Sequence, residues 1–164
     1  MSTFNDKTWT QWFGFVVRLA LGAAFIYAAM IKLLHLGESK MSVVAYHLFP
    51  IPVAQFLGVA LPVIELALGI LLVVGLFTRL VAICIGLLLV VYIAGIISAW
   101  ARGLSISCGC FSPGGVVDHA AAVAGYKKDI ARDTLMILGA AWLALWPRTP
   151  LSVDRWLKVA PSEL

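Results

Sequence analysis

Charge is what this sequence has least of. Lysine, arginine, aspartate and glutamate make up 12% of its 164 residues, against about 25% in an ordinary soluble domain. With 62% hydrophobic residues and a mean hydropathy of +1.00, the chain reads as an integral membrane protein rather than a globular enzyme with a large core. Its net charge of +4 is spread over the ends of apolar runs, as membrane-flanking charges are, which excludes a nucleic-acid partner and points to membrane lipid. Metal-ligating material is equally thin. Structural zinc needs four ligands, and beyond Cys108 and Cys110 only His119 lies close in sequence, so no metal is expected. Nothing resembles a soluble appendage, so residues 1–164 form a single domain. The first apolar stretch is too long for a signal h-region and is expected to stay in the chain as a span.

What the chain does have is long apolar runs. Four spans are expected, at about 12–34, 53–77, 80–100 and 129–146, each long enough to cross roughly 30 Å of hydrocarbon. The second is entered through Pro50-Ile51-Pro52, the third carries no charge, and the fourth brings Arg132 and Asp133 with it before Pro147 ends it. Short connections imply an all-α integral membrane four-helix up-down-up-down bundle with both termini on one side. The segments 36–51 and 101–128 then face one compartment, and the 75–79 turn and the C-terminal tail face the other. Lys7, Arg79, Arg148, Arg155 and Lys158 lie on the terminal side; Lys40, Arg102, Lys127 and Lys128 lie on the loop side. The short second loop and the tail favour cytoplasmic termini in a cell (inner or plasma) membrane. A cysteine pair in the third loop favours an extracytoplasmic, oxidising location for that loop.

Ionisable residues inside spans are costly, face the bundle interior and are functional candidates. Arg18, Gly22, Phe25, Ala29 and Lys32 share one face of the first helix. Glu65, Gly69, Leu72, Leu76 and Arg79 share one face of the second. Each stripe mixes small and polar residues, as closely packed helices require. Counting from the span ends, Arg18 lies about 9 Å in from the terminal side, Glu65 about 18 Å, and Lys32 about 30 Å, level with the third loop. An Arg18–Glu65 ion pair, direct or through water, is therefore expected. Lys32 either favours the thiolate of a nearby cysteine or, like Arg18, snorkels to an interface.

The segment Ser107-Cys108-Gly109-Cys110-Phe111 is the place for chemistry. Two thiols one residue apart close a disulfide only if the backbone turns, and Gly109 permits that turn. A ring so small is expected to be strained, hence labile and catalytic. The serines at 105, 107 and 112 and Pro113-Gly114-Gly115 keep the pair in an accessible, turn-rich loop. Cys84, by contrast, sits mid-span and packs as a small apolar residue. The histidines at 35, 47 and 119 read as interfacial polar residues, and the tryptophans at 9, 12, 100, 142, 146 and 156 lie mainly near span ends, as an aromatic belt does.

These residues carry a family likeness. The pattern Arg18, Gly22, Phe25, Ala28, Lys32-Leu33 resembles the first-helix signature of the DoxX/MauE superfamily of four-helix membrane proteins. Pro62, Glu65, Gly69, Gly75 and Arg79 resemble its second-helix pattern, and Cys108-Gly109-Cys110-Phe111 with Arg132-Asp133 is similar to the MauE branch. The resemblance implies a redox-associated protein working with thioredoxin-like extracytoplasmic partners in disulfide formation or maturation. The DoxX branch adds a link to quinones. A Ser-Pro-Gly-Gly stretch after Phe111 departs from the branch pattern, where a glycine is expected, and leaves the partner's identity open.

Two functions follow. In the first, Cys108 and Cys110 form a membrane thiol–disulfide relay, an oxidoreductase activity, exchanging with a partner's cysteines while electrons pass to or from a membrane quinone near Lys32 and Glu65. No covalently bound cofactor is expected. In the second, the chain is a structural accessory subunit of a larger respiratory-type membrane complex, and the pair is a static disulfide or stays reduced. A small-molecule transporter comes third, since four short spans leave little room for a pathway.

Overall fold

A computed structural model describes residues 3–107, 115–116, 118–147 and 152. Among them are five helices and one ribbon: α1 (Thr3–Leu34), α2 (Leu36–Ala45), α3 (Ile51–Val74), α4 (Thr78–Ala101), β1 (Ile106–Ser107), β2 (Gly115–Val116) and α5 (His119–Leu145). Cys108 and Cys110 lie outside the described residues.

Three of the helices are long and apolar enough to cross a membrane: Trp9–Leu34 of α1, α3 and α4. The fourth long helix, α5, is not among them, because Lys127, Lys128, Asp129, Arg132 and Asp133 interrupt its apolar face. The long helices nevertheless close a ring of contacts, α1 on α3, α3 on α4, α4 on α5 and α5 on α1. Their outward faces carry exposed Val16, Tyr27, Ile64, Leu87, Val91 and Leu138, an apolar surface suited to lipid and not to water.

Two expected loops are largely regular structure. The segment after the first span folds as α2, which leaves α1 at a one-residue break, His35, and packs along α3. In the 101–128 segment, α5 starts at His119 rather than near Asp129, because Asp118 caps it by accepting the Ala120 N–H at 3.1 Å. Periodic hydropathy misses this first part of α5, since it is helical without being apolar.

Local chemistry sets how the helices meet. The turn between α3 and α4 is a Schellman motif: the Gly75 N–H bonds Leu72 O at 3.1 Å and the Leu76 N–H bonds Leu71 O at 3.0 Å. Gly75 sits there at φ +75°, a conformation that a Cβ disfavours. Where α1 crosses α3, a Cβ on Gly69 would come within 3.0 Å of Gly22 O, so the two glycines let the backbones touch. Pro62, buried inside α3, has no N–H to give Gly58 O four residues earlier. The Ser39 hydroxyl of α2 supplies the missing donor at 2.7 Å, a repair that membrane helices need where no water reaches the backbone.

Packing falls into two clusters. Leu21, Phe25, Leu72, Ile85, Leu89 and Leu143 belong to the one nearer the α3–α4 turn. Ile96, Ala99, Ile106, Ala122 and Tyr126 form the one beneath the ribbon. Between them lies a polar layer.

Candidate functional site

Every long helix contributes to that layer. Near the end of α1, Lys32 directs its Nζ at both carboxylate oxygens of Glu65 on α3, at 2.6 and 2.9 Å. The Tyr92 hydroxyl of α4 donates to the same Oε1, and the Lys32 ammonium lies 5.1 Å from the Tyr92 ring centroid. On α5, Arg132 donates to Asp133 Oδ1 through Nε at 3.0 Å and Nη2 at 2.8 Å, and its Nη1 meets Asp129 Oδ1 at 2.9 Å. Glu65 and Asp133 are 2% and 1% exposed. A carboxylate in such surroundings requires a paired cation and further hydrogen bonds, and Lys32 with Tyr92 supplies both to Glu65.

Asp133 is less complete. Its Oδ2 is buried with no hydrogen-bond partner among the described residues. Beside it is a void of about 10 Å³, lined by Lys32, Glu65, Tyr92, Arg132 and Asp133 together with apolar side chains. That is about the room one water occupies, but the surface exposed to it is almost wholly apolar.

On the other side of Lys32 and Tyr92 lies a second, larger cavity of about 290 Å³. It is formed by α2, the segment after it, α3 and α4, and its lining is overwhelmingly apolar. Lys32 and Tyr92 line both spaces, so this pair is the wall between the small void and the larger chamber.

The residues singled out in the sequence are distributed unevenly. Lys32 and Glu65 are brought together. Arg18 is not with Glu65. It is 1% exposed, with its guanidinium 5.2 Å from the Phe15 ring centroid and packed against Gly75, where a Cβ would overlap it. Gly75 lies ten residues beyond Glu65, about 15 Å along α3. The expected Arg18–Glu65 pair is therefore replaced by Lys32–Glu65. The reason is register: Arg18 sits level with the turn instead of one and a half helical turns inside it, which carries Lys32 down to the depth of Glu65. Arg79 is exposed in the first turn of α4, away from the cluster. Cys84 sits half-buried in α4 as a free thiol.

Sequence reasoning missed Tyr92 and the Asp129–Arg132–Asp133 cluster of α5. Tyr92 passes for one more aromatic of an apolar span, and Asp133 for a charge at a helix start. A tyrosine at the depth of a buried carboxylate is the signal that could have found the first.

The ribbon is tied down from below. Ile106 pairs with Val116 and Ser107 with Gly115. The buried Tyr126 hydroxyl donates to Leu104 O at 2.8 Å and accepts from the Ile106 N–H at 3.3 Å. Both strands also touch α2.

Apolar helices with exposed hydrophobic faces around a buried ionic layer define a small helical membrane protein in contact with lipid. The family model described as methylamine utilisation protein MauE matches residues 10–146, a range that takes in the ionic layer and the cysteine segment. The chain belongs to the MauE family. No curated protein and no solved structure matches it.

Proposed function

We propose that this protein is a membrane thiol–disulfide relay in which Cys108 and Cys110 exchange with the cysteines of a thioredoxin-like partner outside the cytoplasm. In this reading α5 is a fourth span, the chain is an up-down-up-down bundle in the cell membrane, and both termini are cytoplasmic. Electrons pass between the cysteine pair and a membrane quinone. The observation that carries the reading is the ribbon. Ser107 and Gly115, which bracket the cysteine segment, are paired with each other, and Tyr126 fastens the first strand to α5. A thiol pair on a fixed base suits repeated docking and exchange, in which a thiolate attacks a disulfide through a mixed intermediate.

The test is thiol counting in membranes. Alkylation after oxidation and after reduction is expected to differ by two thiols in the wild type and by none in Cys108→Ser/Cys110→Ser. Single serine variants are expected to trap a mixed disulfide with the partner. An unchanged thiol count with loss of a membrane complex in the double variant would replace the relay with the accessory-subunit reading.

A further inference from the structure

Helices α3 and α4 are joined at the Gly75 turn and are separated by the chamber towards their other ends. Leu57 and Leu61 of α3 face Val91 and Gly95 of α4 across it. Leu48, Phe49 and Val91 line it and are also exposed, so its rim is continuous with the lipid-facing surface. Such a space has three possible contents. Water is a poor one, because an apolar cavity stays dry. Leaving it empty destabilises the fold in proportion to its volume, here about 290 Å³. An apolar group from the surrounding bilayer is the third, and there the acyl chain is the most abundant. The volume is close to the lower bound of small-ligand pockets, room for one chain segment and not for a whole lipid.

A cation stands beyond the chamber on the same face of α4. Val91, Gly95, Ser98 and Arg102 follow i, i+4, i+7 and i+11 spacing, which puts Arg102 about 10 Å past Gly95. Its Nε donates to Ser98 O at 3.1 Å and its Nη2 to Tyr46 O at 2.6 Å. Tyr46 is itself a wall of the chamber, so the guanidinium bridges α4 to the end of α2 at the chamber's edge. A guanidinium has five N–H donors; two are used here, and the side chain is exposed. Both bonds go to backbone carbonyls, and no carboxylate among the described residues pairs with Arg102. Trp100 beside it is 40% exposed, as a residue at headgroup level is.

We propose that the chamber and Arg102 form one phospholipid site: an acyl chain fills the space between α3 and α4, and the phosphate of an anionic phospholipid accepts hydrogen bonds from the Arg102 guanidinium. The two halves are suitably spaced, since Arg102 lies eleven residues beyond Val91, about 16 Å along the helix. The planar fork of arginine matches the oxygens of a phosphate. Its unbalanced charge favours a headgroup with net negative charge over a zwitterionic one. The site stands without the relay reading. Helix α2 lines the chamber and touches both strands of the ribbon, so a bound chain braces the helix on which the ribbon leans.

The experiment uses the full chain, stripped of lipid in a neutral detergent, and measures equilibrium binding of isotope-labelled phosphatidylglycerol, phosphatidylcholine and glycerol 3-phosphate. One phosphatidylglycerol per chain is expected to bind, at least tenfold tighter than either of the others. Arg102→Gln is expected to remove the preference over phosphatidylcholine, and Arg102→Lys, which keeps the charge, to hold affinity within threefold. High salt should weaken phosphatidylglycerol and spare phosphatidylcholine, which checks the same contact in the unaltered chain. Gly95→Leu blocks the chamber, because a Cβ there meets its nearest neighbour, Tyr46 Cε1, at an ordinary 3.7 Å and leaves the rest of the side chain to enter the space. It is expected to weaken both lipids at least tenfold with thermal unfolding unchanged. Val91→Trp, at the exposed rim, makes the same obstruction should Gly95→Leu fail to fold. Equal affinity for the two lipids overturns the Arg102 contact. Full binding by the blocking variants overturns the chain in the chamber. Glycerol 3-phosphate bound as tightly as phosphatidylglycerol overturns a lipid as the ligand.

Discussion

Two cations share one face of α1 and have opposite surroundings. Arg18 is locked into the turn end of the molecule, against a glycine in a left-handed conformation and beside Phe15. Lys32, fourteen residues on, faces a carboxylate, a phenol and two cavities. The first is 1% exposed and packed against the turn. The second adjoins two spaces that packing leaves open, one small and one large.

Substitutions at the two ends sharpen or break this contrast. The largest effect is expected from Glu65→Ala, which strands the Lys32 ammonium in the bundle and should cost about 3–5 kcal/mol, read as a loss of thermal stability in detergent. Lys32→Met/Glu65→Leu is expected to recover most of that stability without recovering thiol exchange. A double variant as unstable as Glu65→Ala would show that the middle layer is structural after all. Next comes Gly75→Ala, which combines a strained φ with overlap on Arg18 and Ser152; about 1–3 kcal/mol is expected. Exchange activity should persist in the fraction that folds, and its loss there would erase the distinction between the ends. Tyr126→Phe removes the hydroxyl that holds Leu104 and Ile106 and should cost about 1 kcal/mol. Faster hydrogen exchange at the Ile106 amide checks it. The smallest effect, about 0.6 kcal/mol, is expected from Ser39→Ala, which leaves Gly58 O without its donor; thermal unfolding measures it.

Much of this arrangement is legible in the sequence. Lys32 and Glu65 stand out as charges inside apolar runs, and the small-residue stripes of α1 and α3 mark the faces that meet. The pairing is not legible, because depth counted from the ends of hydrophobic runs assumes that both helices start level. Their register is set instead by the Gly22–Gly69 contact and by the reach of Arg18 to the turn, neither of which hydropathy records. Helix α2 escapes notice for a related reason: ten residues with glycine, serine and a Glu–Lys pair read as a loop, and become a helix by leaning on α3. The cysteine segment is the reverse case, plain in the sequence and outside the described residues.

The seating of Arg18 also bears on how the chain enters its membrane. Level with the α3–α4 turn, its charge lies at the same end of the bundle as Arg79. The opposite side holds Lys40, Arg102, Lys127 and Lys128. In the orientation proposed above, an insertion machinery that retains basic flanks in the cytoplasm would count Arg18 among them. A side chain that finishes as packing begins as part of an address.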